Sequence, residues 1–226
     1  MGILDIFRKK EVTEPYVPFE AVKSDKGSYE DFYGKLRSSS LILLIIGKRG
    51  SGKTSLGMKF LEFFNKETKR KCYTLGYGDA RLPWWLKKVE KIEEIPNNSI
   101  ALFDEGAVFF SARESMKAIN KELSKIMTIA RHKNLTLVLI TQNSAMIDLN
   151  VLRLADTLLL KEPSLLQSKF ERKVLRDIYE KIKPEFTKIK EKKSHFYVWD
   201  DDFQGLVKYP LPYFWSEKIS TSFKNA

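Results

Sequence analysis

Residues 41–55 read LILLIIGKRGSGKTS, and this stretch decides the fold. Leu41–Ile46 is an aliphatic run without polar alternation, the pattern of a strand buried on both faces in a parallel sheet. The following GKRGSGKT, Gly47–Thr54, fits G-x-x-x-x-G-K-[ST]. Its glycines let the backbone wrap so closely that successive N–H groups converge on an anion. From Lys53 to Lys66, Leu56, Phe60, Leu61 and Phe64 recur at helical spacing, so a helix N-terminus adds its positive end. Strand, glycine loop and helix in this order form a phosphate-binding loop. Gly47, Lys48, Arg49, Gly50, Ser51, Gly52, Lys53, Thr54 and Ser55 are the expected nucleotide-binding residues. Lys53 is expected to reach the β- and γ-phosphates of ATP, and Thr54 to offer its hydroxyl to Mg²⁺.

Downstream, strand candidates alternate with helical segments, which implies a mainly parallel sheet with right-handed crossovers. Cys72–Gly76, Ser99–Phe103, Leu135–Ile140 and Thr157–Leu160 read as strands. Leu82–Glu90, after Pro83, and Ser115–Ala130 read as helices, the latter with Ile119, Leu123, Ile126 and Met127 on one face. Phe170–Lys183 reads as another helix. His195–Trp199 and Leu206–Tyr209 read as a hairpin around Asp200–Gly205. Residues 1–40, broken by Pro15, Pro18, Gly27 and Ser38–Ser40, read as an extension. The expected division is an extension at 1–40, a core at 41–160 and a C-terminal extension at 161–226.

Ser99–Phe103 ends in Asp104-Glu105. Asp104 at a strand end suits a Mg²⁺ shell, and Glu105 suits the orientation or deprotonation of an attacking water. A kinase hands the phosphoryl group to a bound substrate, so a glutamate directly after the aspartate favours hydrolysis. A small-molecule kinase remains the alternative that chain length and loop allow. The strand count is compatible with a sheet whose third consecutive core element is inserted between the first two functional ones. Leu135–Ile140 ends in Thr141-Gln142-Asn143, at the edge where open α/β sheets hold ligands, and Gln142 suits a γ-phosphate sensor. Arg131, at a helix end, fits either a cation complementing the helix dipole or an arginine finger presented to a neighbouring subunit. Arg113, Arg153 and Arg172 are its rivals, and His132 reads as a solvated helix-end side chain.

The chain has 226 residues and a formal net charge of +11, a balance that favours a polyanionic partner or serves solubility and thermostability. Its one cysteine, Cys72, excludes an intrachain disulfide and a cysteine zinc site, and fits a reducing, intracellular setting. No apolar run is long enough to span a bilayer. Ile3, Leu4, Ile6 and Phe7 before Arg8–Lys10 suit docking on a membrane or partner, or packing on their own domain. Trp84 and Trp85 beside Arg81, Lys87 and Lys88 suit a core and subunit interface, or stacking on nucleic acid.

GKRGSGKT, ALFDEG and ARHKNLTLVLITQN together resemble the FtsK/HerA superfamily of P-loop ATPases. The resemblance is nearest to its small viral branch: genome-packaging ATPases of membrane-containing icosahedral viruses, and zonula-occludens-toxin-like assembly ATPases of filamentous phages. It covers about residues 41–160. It implies a RecA-like α/β core with Walker A and Walker B motifs, and a hexameric or similar homo-oligomeric ring with ATP between subunits and double-stranded DNA in the pore. By position it makes Lys53 and Thr54 nucleotide and Mg²⁺ ligands, Asp104 a Mg²⁺ ligand, Glu105 the catalytic carboxylate, Gln142 the sensor and Arg131 the pre-strand arginine. The expected function is ATP-driven packaging of viral DNA in the host cytoplasm, with a capsid or membrane docking partner. A membrane-associated assembly or secretion ATPase is the alternative.

Overall fold

A computed structural model describes residues 15–75, 77, 81–104, 116–141, 147–163 and 173–221. Among these residues nine strands form one sheet: β1 Glu20–Gly27, β2 Ile42–Ile46, β3 Cys72–Leu75, β4 Leu86–Val89, β5 Ile100–Asp104, β6 Thr136–Ile140, β7 Thr157–Leu160, β8 His195–Trp199 and β9 Phe203–Lys208. Their order is β1-β9-β8-β7-β2-β6-β5-β3-β4. From β7 to β4 all neighbours are parallel, and β8, β9 and β1 continue the same sheet antiparallel. As the strand count allowed, β6 lies between β2 and β5, with Leu43 opposite Val138 and Asp104 opposite Ile140.

All five residues of β2 are buried. Period-two alternation sends Leu43 and Ile45 to one face of the sheet and Ile42, Leu44 and Ile46 to the other. The first face is covered by α1 (Tyr29–Ser38) and α2 (Lys53–Glu67), which contribute Phe32, Leu36, Phe60, Phe63 and Phe64. A short helix, Glu217–Thr221, adds Ile219. The second face is covered by α3 (Met116–His132), α4 (Leu149–Leu154) and α5 (Lys173–Thr187), with Leu123, Ile126, Met127, Val151, Leu175 and Ile178. The result is a three-layer α/β sandwich. Among the described residues no helix is long and apolar enough to cross a membrane.

Three expectations need correction. The segment read as a helix at Leu82–Glu90 contains β4 instead. Leu82, Trp85, Leu86 and Val89 keep helical spacing, yet Leu86–Val89 pairs with β3, with Leu86 buried and Lys87 and Lys88 exposed, so tertiary pairing overrides the local period. Within the stretch read as an extension, residues 1–40, lie β1 and α1. Every residue of β1 is exposed, so no alternation marks it in the sequence, and its form comes from pairing with β9. Helix α1 starts at Ser28, whose hydroxyl accepts the Asp31 N–H at 3.3 Å, and buries Phe32 and Leu36 one turn apart. Finally, α5 continues through Pro184 to Thr187, because Phe186 is buried and holds the last turn in place.

Arg70, between α2 and β3, ties together the sheet edge opposite the phosphate loop. Its guanidinium donates to the carbonyls of Asn98, Ser39, Ser99 and Asn134 at 3.1–3.3 Å and to Thr136 Oγ1 at 2.8 Å. A lysine has three donors and no planar fork. Arg70→Lys is therefore expected to cost about 2 kcal/mol and roughly 5 °C in Tm; an unchanged thermal melt would contradict this role.

Cys72 is buried beneath α2, and burial pushes its thiol up to about 12, so it is no nucleophile near neutral pH.

Candidate nucleotide site

Strand β2 delivers the chain at the sheet's C-terminal edge, where Gly47–Gly52 turns into α2. Gly50 and Gly52 have φ of 75° and 88°, the left-handed region that a side chain disfavours. Gly47 serves close approach: a Cβ there would lie 2.5 Å from Lys161 Cβ. Helix α2 has Gly52 at its N-cap, no capping side chain and no acidic residue in its first turn. Its positive end is thus left to an anion.

Lys53 is buried, and its ammonium donates to the carbonyls of Gly47 at 2.8 Å and Lys48 at 3.1 Å. Thr54 Oγ1 donates to Asp104 Oδ2 at 3.2 Å, across 50 residues of sequence. The insertion of β6 between β2 and β5 leaves the two strand ends one strand apart, and α2 carries Thr54 across the gap. Asp104 is 1% exposed and also accepts from the phenol of Tyr77 at 3.3 Å. Burial first, and then the Asp104 carboxylate, hold the Tyr77 phenol well above its ordinary pKa, so it stays a donor.

The residues fit a bound polyphosphate and its cation. The buried hydroxyls of Ser51, in the loop, and Thr141, at the end of β6, have no hydrogen-bond partner among the described residues. A buried hydroxyl without a partner is costly, and phosphate oxygens would satisfy it. Thr54 and Asp104 offer a hydroxyl and a carboxylate, the hard oxygen donors that Mg²⁺ accepts.

The loop's flank is basic and ordered. Glu162, just past β7, pairs with Lys48 at 2.5 Å and Lys192 at 2.8 Å, and its carbonyl accepts the Lys48 N–H at 3.2 Å. Partial burial would raise the Glu162 carboxyl, but its hydrogen bonds to Lys192 and Lys48 prevail and hold it below the usual range. Arg49 follows at the turn of the loop.

Glu105 and Gln142, expected to activate water and to sense the γ-phosphate, lie outside the described residues, as do Arg113 and Arg172. Arg131 is described, at the end of α3 on the opposite edge of the sheet from the loop. It donates to Leu154 O at 2.8 Å and pairs with Asp156 at 3.0 Å, while Asp156 Oδ2 also accepts the Ile42 N–H at 2.7 Å. His132 is exposed. Arg153 lies in α4. Trp84 is 82% exposed, whereas Trp85 packs edge-on against Phe214 and donates to Tyr213 Oη at 2.9 Å.

Three residues at the site carry no motif: Tyr77, Lys161 and Tyr209. Lys161 follows directly on the apolar run Thr157–Leu160, and a lysine at the ligand-bearing end of a buried strand is a signal the sequence does contain. Tyr77 and Tyr209 have no such mark.

No curated protein matches the chain. Among solved structures, the genome packaging NTPase B204 of Sulfolobus turreted icosahedral virus 2 is similar in its sulfate complex, with TM-score 0.53 and 14% identity over 77% of this chain and 98% of that one. Its ATP-gammaS complex matches at TM-score 0.50 and 15% identity, covering 76% and 98% of the two chains. B204 of Sulfolobus turreted icosahedral virus, described as the DNA-packaging ATPase, matches at TM-score 0.51 and 16% identity, again covering 76% and 98%. At these identities the likeness establishes the fold. The family model for zonular occludens toxin (Zot) matches residues 80–205, more than half of the sequence and most of the sheet beyond the phosphate loop. Together with the loop, strand order and site, that match makes the chain a member of the zonular occludens toxin (Zot) family of P-loop ATPases.

Proposed function

We propose that the chain is an ATP-hydrolysing motor that drives double-stranded DNA into a viral capsid, working as one subunit of a homo-oligomeric ring. The observation that carries this reading is the meeting of Thr54 and Asp104 beside an uncapped α2 N-terminus, in a chain of net charge +11. Likeness to packaging NTPases supports it.

In this reading the loop N–H groups and Lys53 bind the phosphates, and Ser51 adds its hydroxyl. Thr54 and Asp104 would hold Mg²⁺, which would supply charge neutralisation on the phosphate oxygens. Tyr77 keeps Asp104 turned toward Thr54. Glu105, next after Asp104, takes a proton from the attacking water, and Gln142, next after Thr141, senses the γ-phosphate. Arg131, on the far edge, serves as a finger only toward a neighbouring subunit's nucleotide, which requires its release from Asp156. The core at 41–160 carries the chemistry, and the N- and C-terminal extensions are left to dock capsid or membrane.

The test is steady-state ATP turnover with and without duplex DNA, alongside DNA affinity at rising salt. Duplex is expected to stimulate turnover several-fold. Affinity should fall about 10³-fold or more between 50 and 200 mM salt if six or more phosphates are contacted. Turnover indifferent to DNA, with affinity insensitive to salt, would reject the motor. The apolar-basic sequence Ile3, Leu4, Ile6 and Phe7 before Arg8–Lys10 favours a second reading, a membrane-associated assembly or secretion ATPase. Binding to anionic liposomes that depends on residues 1–10, with turnover indifferent to DNA, is the outcome that selects it.

A further inference from the structure

Behind the phosphate loop, on its β7 side, the structure holds a buried polar knot outside the Walker residues. Lys161 is the first residue after β7, and its N–H donates to Ile46 O at 2.7 Å, so its backbone runs alongside the entry to the loop. Gly47 permits that approach, since a Cβ would collide with the Lys161 stem. The Lys161 side chain is fully buried, and its ammonium donates to Lys193 O and His195 O, both at 2.6 Å, and to Tyr209 Oη at 3.0 Å. Three hydrogens meet three acceptors.

Tyr209, directly after β9, is 1% exposed and faces the other end of the loop. Its hydroxyl lies 3.1 Å from Gly52 O, 2.9 Å from Lys193 O and 3.3 Å from Ser55 Oγ. A phenol has one hydrogen, so Tyr209 donates to one of three acceptors at a time: Gly52 O or Ser55 Oγ on the phosphate-loop side, or Lys193 O at the start of the C-terminal hairpin. A Cβ on Gly52 would lie 3.2 Å from Lys193 O and 3.4 Å from Tyr209 Oη, so the loop packs directly on the knot.

A methionine would fill the Lys161 volume without desolvating an amine. Burial, reinforced by the nearby Lys53 charge, pulls the Lys161 pKa well down despite the opposing Glu162. Such a cost is difficult to reconcile with a purely structural filler.

We propose that Lys161 and Tyr209 are positioning residues of the nucleotide site: they set the Gly47–Gly52 loop from behind and couple its state to the Lys193–His195 entry of the C-terminal hairpin. This rests on the reading that the loop binds ATP. The knot thereby gives the hairpin a means of sensing whether nucleotide is bound.

The test uses the full chain, with Tyr209→Phe and Lys161→Met, fluorescent ATP titration, steady-state kinetics, and hydrogen–deuterium exchange with and without AMP-PNP and Mg²⁺. In the wild type, nucleotide is expected to slow exchange across residues 191–209. Tyr209→Phe should weaken nucleotide affinity about five- to tenfold, raise KM in proportion with kcat nearly unchanged, and abolish most of that protection. Lys161→Met should do the same more strongly, and if it does not fold, Tyr209→Phe decides alone. Wild-type affinity together with wild-type protection in Tyr209→Phe would overturn the coupling while leaving ATP binding intact. A wild type that binds no nucleotide would overturn this proposal and the motor reading together.

Discussion

Lys53→Met is expected to reduce ATP turnover about 10²–10³-fold and to weaken nucleotide binding as well. The buried Lys53 ammonium already occupies the centre of the loop through the Gly47 and Lys48 carbonyls. Methionine keeps an unbranched stem, one atom shorter, and removes the charge and the donors. Glu105→Gln should reduce turnover by a similar or larger factor, as expected for loss of a general base, and leave ATP affinity within a few-fold of wild type. The pair separates binding from water activation. Loss of turnover with preserved binding in Glu105→Gln assigns the carboxylate. Turnover that survives Glu105→Gln removes it from the mechanism, and turnover that survives Lys53→Met removes the loop itself.

Glu62→Ala is expected to be the most destabilising of the substitutions considered, by about 3–5 kcal/mol and on the order of 10 °C in Tm. Glu62 and Lys59 form an ion pair on the face of α2 that is buried in the core, with side chains 2% and 1% exposed. Lys59 also donates to Val17 O at 2.7 Å and lies 4.8 Å from the centre of the Tyr16 ring. The second carboxylate oxygen of Glu62 accepts the Tyr213 N–H at 2.9 Å. Two distant segments, 16–17 and 213, are therefore fastened to one helix turn. Alanine would strand a buried ammonium and a backbone N–H at once. A melting temperature within 2 °C of wild type would show that the pair is dispensable.

The parts of the fold visible in the sequence are those where one physical signal acts alone. Leu41–Ile46 and Leu135–Ile140 are buried on both faces, so their apolar runs need no tertiary information. Asp104 could be located because an apolar strand ended in it beside a strong glycine loop. The α3 face was visible because Ile119, Leu123, Ile126 and Met127 keep one period for several turns. Signals weakened where tertiary pairing supplies the order. EAVKSDKG becomes β1 only against β9, and LKKV becomes β4 only against β3. The contacts Lys161–Tyr209 and Tyr77–Asp104 join residues that no local period relates, so Tyr77 and Tyr209 read as ordinary tyrosines until the sheet brings them to Asp104 and Lys161.

The strand order also sets a timetable for biosynthesis. The first strand of the sheet pairs with the last, Glu20 opposite Lys208, and Tyr209 follows immediately. A growing chain can bring together β2, β3, β5 and β6 once residue 140 has been made, but β1 must wait without its neighbour until the C-terminal hairpin leaves the ribosome. The loop at 47–54 is likewise finished from behind only when residue 209 arrives. Incomplete chains thus carry the whole phosphate loop without the support that shapes it, and a ribosome-bound chain is ill-equipped to bind ATP before its C-terminal hairpin is made.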